Sequence, residues 1–324
     1  MKRSYFLAMV CCGLCLGYVG RGQEVPAIRL RDSARMFGPG RISTGDFVFN
    51  TSFSPDGNTV YFSKAAINWV YIAIFYSTKR DGQWTVPQPV PFTGVYRDTD
   101  PCVSADGKRL YFCSDRPAGG RPFKDYAYKL FYVELDGNKV VSEPVQADLP
   151  LPVGMHVLYP SFAGNGDLYF TSSDTATNDA DIYECPLVNG VYQAPVRLPF
   201  NDAHIVDMDP VVAADERFII FASSNRKGHG AGDLWVSFKK EGQWGTPVNM
   251  GEKVNTAGHE GTPGLSRDNK TLYFSTNRES VKSRPQFKTG EVTAETINRL
   301  LHSPAAGLPQ IYAIDISDLE DQGK

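Results

Sequence analysis

Five short stretches of the chain hold residue types from which chemistry can be built. They precede apolar runs at intervals of 50 to 59 residues and align on Asn50, Asp100, Tyr159, Asp209 and Thr262. Two positions earlier the column reads Val48, Asp98, Val157, Asp207 and Glu260, and three positions earlier Phe47, Arg97, His156, Val206 and His259. Three copies thus bring carboxylates to one level: Asp98 with Asp100, Asp207 with Asp209, and Glu260. His156 and His259 lie beside them, and His204 shares a connection with Asp207. After the apolar runs come Arg116, Arg226 and Arg278, with Lys64 at the matching place in the first copy.

Converging carboxylate oxygens suit a hard cation such as Ca²⁺, for which Asp98, Asp207 and Glu260 are the candidate ligands. They also suit sugar hydroxyls, with Tyr96, Tyr159 or Trp69 as stacking platforms. Paired carboxylates can hydrolyse glycosides, their separation setting the stereochemical outcome; the catalytic candidates are Asp98, Asp207, Glu260, His156 and His259. The plainer role of D-x-D-P, for Asp100 and Asp209 above all, is to cap a turn, and that of the [DN]-R pairs is to bridge neighbouring units. The chain has no G-x-S-x-G, H-E-x-x-H, P-loop or dinucleotide fingerprint.

The elements that position these residues repeat with them. Each copy has a turn of S-x-D-G type, at Ser54–Gly57, Ser104–Gly107, Ala163–Gly166, Ala213–Glu216 and Ser266–Asn269. Asp-Gly and Asn-Gly between apolar runs predict hairpins with two-residue turns, because these residues tolerate positive φ. A second strand follows: Val60-Tyr61-Phe62-Ser63, Leu110-Tyr111-Phe112-Cys113, Leu168-Tyr169-Phe170-Thr171, Ile219-Ile220-Phe221-Ala222 and Leu272-Tyr273-Phe274-Ser275. Third strands are expected at Ile74-Phe75, Leu130–Tyr132, Asp181–Tyr183, Asp233–Trp235 and Gln310–Tyr312. Fourth strands are marked by G-x-[WY]-x-x-P at Gly82–Pro87, Gly190–Pro195 and Gly242–Pro247, proline being tolerated on a free edge. Four antiparallel strands per fifty-residue unit mark a β-propeller.

The fold expected is all-β, a five-bladed propeller of four-stranded antiparallel blades. The fifth copy lacks its fourth strand, and residues 24–31, beginning EVPAIRL, match the V-P-x-x-x-L fourth-strand pattern; they are expected to close the last blade. The rival ring has six blades, with residues 24–50 as most of another, but that segment holds no Asp-Gly hairpin and no Tyr-Phe run. The repeated S-x-D-G-x-x-[LV]-Y-F-x-S-x-R with a downstream D-[IL]-[YW] resembles the TolB-type WD40-like propeller repeat, over nearly all of the chain after residue 22. The resemblance implies a bacterial envelope protein that binds a partner, often without catalysis. Such repeats commonly stand beside peptidoglycan-binding modules; none is present here, so that anchoring role is not carried over.

A propeller places its fourth-to-first and second-to-third connections on one face and its hairpin turns on the other. The turn motifs therefore read as structural, and the site is expected on the connection face, at the channel mouth. Its ligand-binding candidates are Asp98, Asp100, His156, Tyr159, His204, Asp207, Asp209, His259 and Glu260, with Arg116, Arg226 and Arg278. Longer insertions at 117–128 and 279–309 join that face. Within the second, Thr293, Thr296, Ile297, Leu300 and Leu301 predict a short helix ending near Pro304 that braces the fifth blade.

The first 22 residues have a basic start and an apolar run from Tyr5 to Val19, the layout of a secretory signal. Cys11, Cys12 and Cys15 lack the small preceding residues of a lipid-attachment site, so no lipid anchor is expected. Residues 23–324 then form a single exported domain, periplasmic or envelope-associated. Removing the signal takes Lys2, Arg3 and Arg21 and no acid, moving the formal charge from −3 to −6. That sign disfavours nucleic acid as a partner, and no later stretch is apolar enough to span a membrane. Cys102, Cys113 and Cys185 remain, too few for a disulfide scaffold. Two functions fit these residues. One is a non-catalytic exported propeller binding an envelope protein or glycan through its carboxylate-lined face, in which Asp98, Asp207 and Glu260 are neutralised without loss of the fold. The other is a carbohydrate-active hydrolase or lyase working through the same acids and histidines.

Overall fold

A computed structural model describes residues 27–117, 128–173, 180–202, 204–278 and 292–319. The signal segment, nearly all of the 117–128 insertion and residues 279–291 of the 279–309 insertion lie outside these residues. The described chain forms five four-stranded antiparallel blades arranged as a β-propeller. The inner strands are Phe47–Phe53, Asp98–Val103, Leu158–Phe162, Asp207–Val212 and Glu260–Leu265, and each pairs through a hairpin with its second strand. The third strands are Ile72–Arg80, Lys129–Asp136, Ala180–Cys185, Asp233–Lys240 and Gln310–Asp315. In blades 1, 2 and 4 the outer strand is two short pieces, such as Gln83–Trp84 and Gln88–Pro89. Pro87 falls in that break, where no ladder bond is lost.

The repeated Tyr-Phe pair follows from strand geometry. Neighbouring side chains on a strand point to opposite faces, and a blade inside the ring buries both. Phe62 packs between blades 5 and 1 and Tyr61 between blades 1 and 2. Phe112 faces blade 1, Phe170 faces blade 2 while Tyr169 faces blade 4, and Phe274 faces blade 4. Five hydrophobic clusters result, one at each blade-to-blade interface.

The turns are longer than the two-residue hairpins expected. In blade 1 the Gly57 N–H returns to the Ser54 carbonyl at 2.9 Å, and the Ser54 N–H donates to the Thr59 carbonyl at 2.9 Å. The Ser54 hydroxyl donates to Asp56 Oδ1 at 2.5 Å, and Asp56 Oδ1 also accepts the Asn58 N–H at 3.0 Å. Ser104 with Asp106 and Ser266 with Asp268 repeat the arrangement. Only the fourth position has positive φ, as at Gly57 (68°) and Asn269 (58°). These serines and aspartates build turns.

The last blade is completed from the N-terminal side, but residues 27–31, the described part of the expected strand 24–31, do not pair with it. Arg35–Met36 pairs antiparallel with the third strand of blade 5, Arg35 opposite Ala313 and Met36 opposite Tyr312. Ala27 instead makes a parallel bridge to Asn249 of blade 4, with the Ile28 N–H 2.8 Å from the Asn249 carbonyl. Ile28 and Leu30 are buried between blades 4 and 5. The VPAIRL pattern thus supplies apolar anchors, and the ladder forms only after the chain has crossed to the edge of blade 5. Phe37 follows at the seam, its ring 5.9 Å from Phe53 and 5.6 Å from Trp84 in blade 1, and 5.0 Å from Tyr273 in blade 5.

The helix of the second insertion spans Ala294–Leu301, with the Thr296 N–H donating to Thr293 Oγ1 at 3.1 Å. Ile297 stays 46% exposed, so the helix does not brace the ring through that residue. The chain just beyond it, at His302 and Ser303, lies against Gly45 at the entry to blade 1.

Because Phe37 is the aromatic wedge shared by the first and last blades, Phe37→Ala is expected to cost about 3 kcal/mol. Urea unfolding should show a lower midpoint, while Val153→Ala, on a fully exposed loop position, leaves the midpoint in place.

Candidate functional site

The carboxylates expected at the channel mouth are buried in ion pairs. Asp98, Asp207 and Glu260 are each 0% exposed. Arg116 Nη2 lies 2.6 Å from Asp98, and the Ser114 hydroxyl donates to the same oxygen at 2.7 Å. Arg226 holds Asp207 with both arms of its guanidinium, Nε at 2.9 Å and Nη2 at 2.6 Å. Arg278 Nη2 is 3.7 Å from Glu260, whose oxygens also accept from the hydroxyls of Thr276 at 2.6 Å and Thr256 at 2.7 Å. The pairs lie within one blade, not between units. Each arginine folds back over the phenylalanine of its own second strand: Arg116 over Phe112, Arg226 over Phe221, Arg278 over Phe274. Burial pushes the Asp98 carboxyl up, against the pull of Arg116.

The histidines are not drawn to these acids. His156 is buried, and desolvation, with Lys129 nearby, lowers its pKa. His204 is exposed at φ 71°, its carbonyl accepting from the Asn225 amide. The ring of His259 lies against Gly232 and Gly261. Among the described residues no hydrogen bond joins a histidine ring to a carboxylate, and Asp98, Asp207 and Glu260 do not form a set of mutually close ligand atoms. Such a set does form between blades 3 and 4 from Asp167, Glu184 and Glu216, all within 4.8 Å. Lys239 Nζ, 3.2 Å from Glu216, supplies a counter-charge there.

The aligned column Asn50, Asp100, Tyr159, Asp209 and Thr262 has a different role. Every member has positive φ, between 45° and 58°, and every inner strand carries a β-bulge at this point. Each backbone N–H donates to a side chain of the preceding blade. Asp100 donates to Ser63 Oγ (3.2 Å) and Asp209 to Thr171 Oγ1 (2.8 Å). Tyr159 donates to Asp100 Oδ2 (3.0 Å), Thr262 to Asp209 Oδ2 (3.0 Å) and Asn50 to Thr262 Oγ1 (3.2 Å). The acceptors explain the acids. The second-strand residue opposite the bulge is Ser63, Cys113, Thr171, Ala222 or Ser275 in turn. Blades 1 and 3 use that hydroxyl directly. Blades 2 and 4 have cysteine and alanine there, and Asp100 and Asp209 supply the missing acceptor.

These two carboxyls are correspondingly perturbed. Burial raises Asp100 to about 6, offset in part by the hydrogen bonds it accepts, and raises Asp209 to about 8 with a further push from Asp100. Both Asp100 oxygens are engaged, Oδ1 by the Asn50 amide at 2.7 Å and the Thr99 hydroxyl at 2.8 Å. Asp209 Oδ1 is buried with no hydrogen-bond partner. Burial, followed by Asp209 and Asp100, drives the Tyr159 phenol well above its ordinary range.

On the hairpin-turn side of this belt the five inner strands enclose a cavity of about 120 Å³, floored by Asn50, Tyr159 and Asp209. Pro101, Pro160, Pro210 and Pro263 follow the bulge in four blades; Thr51 takes that place in blade 1. Proline offers no donor, and on an inner edge strand it needs none. Thr51 Oγ1 is the second buried atom of this cavity without a partner. At the outer end stands Arg267 of blade 5. Its guanidinium crosses to blades 1 and 2, donating to the carbonyls of Phe53 (2.7 Å), Val103 (3.1 Å) and Ser104 (3.2 Å). Thr51 and Arg267 are absent from the candidates read in the sequence, although both are departures from their columns. Arg267 sits where the other copies have Pro55, Ala105, Gly164 and Ala214.

No family model matches the sequence, and no curated protein matches it. Solved structures do. An α-L-arabinofuranosidase from Lactobacillus brevis aligns with a TM-score of 0.50 and 12% identity, over 85% of this chain and 92% of that one. A GH43 β-xylosidase/α-arabinofuranosidase from a compost microbial metagenome, solved with xylotriose, aligns at 0.50 and 10%, over 87% and 94%. TolB from Acinetobacter baumannii aligns at 0.46 and 15%, over 71% of this chain; the chain spans 49% of that protein's length. At these identities the likeness is one of fold. No helix among the described residues is long and apolar enough to cross a membrane.

Two outcomes follow from this geometry. Asp207→Asn leaves Arg226 buried without its anion and should lower stability by about 3–5 kcal/mol in urea unfolding, reversing the expectation that this acid can be neutralised freely. The second concerns pH. Unfolded aspartate titrates near 3.8 and Asp209 in the ring near 8, so the folded chain keeps a proton that the unfolded chain releases. The stability this adds is complete below pH 3.8 and is lost as pH rises towards 8, by up to about 1.4 kcal/mol per unit. Asp209→Asn, which keeps an acceptor for the Thr262 N–H, should flatten the upper half of that profile, measured as urea midpoints between pH 5 and 8.

Proposed function

We propose that this chain is an exported, non-catalytic propeller that binds a glycan in its central channel, from the hairpin-turn side. The observation that carries the reading is the channel cavity itself, closed by the five inner strands and lined on its polar side by Asn50, Ser52, Tyr159 and Asp209. At about 120 Å³ the cavity is smaller than an engineered space of about 150 Å³ that takes benzene, so it admits an edge or substituent of a glycan and not a whole ring.

Binding without turnover is supported by where the carboxylates are engaged. Glycoside hydrolysis takes two carboxyl groups, one giving a proton and one attacking or activating water. Asp98, Asp207 and Glu260 are held by arginines. Asp100 has both oxygens occupied by its neighbours, and the open oxygens that remain, Asp98 Oδ2 and Asp209 Oδ1, belong to different levels of the ring and are both closed off from solvent. Export rests on the basic and apolar layout of residues 1–22.

The test pairs a glycan array with a turnover assay on the secreted protein. Expected are retention of at least one glycan class and no released sugar. Product release from any panel substrate, abolished by Asp209→Asn, would instead establish a hydrolase. No retained glycan would remove the reading.

A further inference from the structure

Two acids sit in the belt around the channel axis, and no cation is bonded to either. Asp100 and Asp209 are 1% and 4% exposed. One run of hydrogen bonds joins them through four blades. Asp100 Oδ1 accepts the Asn50 amide, the Asn50 N–H donates to Thr262 Oγ1, and the Thr262 N–H donates to Asp209 Oδ2. On its other side Asp100 Oδ2 accepts the Tyr159 N–H. Every other group in this run is uncharged.

The elements packed against the two acids supply no counter-charge. Blade 2 sets the Cys113 thiol and the Tyr128 phenol near Asp100, and blade 3 sets the Tyr159 phenol near both acids. Burial raises all three above their ordinary ranges, which keeps them protonated. From blade 5, a Cβ at Gly261 would lie 3.2 Å from His259 Nε2 and 3.5 Å from Asp209 Oδ2. Desolvation lowers the His259 pKa against the pull of Glu260 and Asp233, so this ring is uncharged above about pH 6.5. Arg267 reaches the turn side of the cavity, but its Nε and Nη2 are taken by backbone carbonyls. Asp98 and Asp207, two residues before each acid, are matched by Arg116 and Arg226 and so are not metal ligands.

Two negative charges in a dry belt repel each other, and burial disfavours both. The partners decide which acid ionises first. Asp100 accepts three hydrogen bonds, whereas Asp209 Oδ1 has no partner. Asp209 therefore keeps its proton longer, in keeping with rises to about 6 for Asp100 and about 8 for Asp209. The bare oxygen has water close by: the cavity of about 120 Å³ is lined by Asp209, and a polar space of that size holds water. We propose that Asp100 and Asp209 form a pH-sensitive latch on the ring axis, holding one proton between them at neutral pH and opening the bond between blades 4 and 5 to water when that proton is lost. Blades 4 and 5 are the pair released because Asp209 is the acceptor for Thr262. The opened belt lets each acid titrate as ordinary aspartate, so opening grows as pH rises and levels off once Asp209 ionises in place.

Amide hydrogen exchange of the secreted protein, corrected for intrinsic rates, tests the latch locally. Exchange within Glu260–Leu265 is read against Phe218–Ser223, the second strand of blade 4. Opening at the former should rise about ten-fold per pH unit from about pH 6 to about pH 8 and then level off, while the latter stays unchanged. Asp209→Asn should stop the rise near pH 6, the range of Asp100 alone. Asp100→Asn removes the neighbouring charge and should bring the levelling to lower pH. Exchange at Glu260–Leu265 that ignores pH, an equal rise in Asp209→Asn, or a levelling point unmoved by Asp100→Asn would overturn the proposal. If a variant does not fold, infrared spectra of the wild type with carbon-13-labelled aspartate decide. A protonated-carboxyl band is expected at about pH 7 and should be lost by about pH 9; no band at the lower pH, or one unchanged at the higher, overturns the latch.

Discussion

The ring depends on one hydrogen bond made five times. At the bulge of each inner strand a backbone N–H turns away from its own sheet and must find an acceptor on the blade before it. A buried N–H left alone costs about 1–3 kcal/mol, and here five of them lie around one axis, so the acceptor is required in every copy. The backbone pays as well, since all five bulge residues carry a side chain and have positive φ, a conformation that strains residues other than glycine. The orphan donor is satisfied, and the strain offset, only when the neighbouring blade is in place. The ring is therefore cooperative from its axis outward, and the apolar interfaces built by the Tyr-Phe pairs then fix the spacing of the blades.

This constraint also separates what the sequence makes legible from what it does not. The blades are written openly, because Tyr61-Phe62 and its counterparts must fill two interfaces from adjacent positions, and that leaves an apolar run at the same place in each copy. The closing strand is harder to read. A ladder of two residues, Arg35 and Met36, is too short to carry a pattern, while VPAIRL looks like a fourth strand because burying Ile28 and Leu30 demands the same alternation. A peripheral anchor and an outer strand share one hydrophobic signature, and only the crossing between blades 4 and 5 tells them apart.

The residues of the aligned columns do share a level in the ring, but they are held by other partners than the sequence suggests. Asp98, Asp207 and Glu260 do stand at one level, and Arg116, Arg226 and Arg278 do recur. What the sequence hides is that the arginine four or five residues past the phenylalanine folds back to cover its ring, and so reaches the acid of its own inner strand. The second signal was present but faint: Cys113 and Ala222 stand where the other copies have Ser63, Thr171 and Ser275. A missing hydroxyl in two blades and an aspartate in the same two blades are one fact, since Asp100 and Asp209 replace the acceptor that cysteine and alanine cannot provide.

A ring of near-equal units has little reason to form a site, because symmetric walls present the same group five times. Here the symmetry fails at the seam between the last blade and the first. Thr51 stands where four other blades have proline, Gly264 packs so closely against it that a Cβ would meet the Thr51 carbonyl and hydroxyl, and Arg267 replaces the small or apolar residue of four other turns. All three belong to blades 5 and 1, whose contact is made by non-consecutive parts of the chain. Asp209, across the channel, is there for the ring: its Oδ2 serves Thr262, and a carboxyl brings a second oxygen whether or not the ring uses it. That spare oxygen, buried without a partner, is what a structural replacement of a hydroxyl by a carboxyl leaves behind in blade 4, where the ring uses one oxygen and has no use for the other.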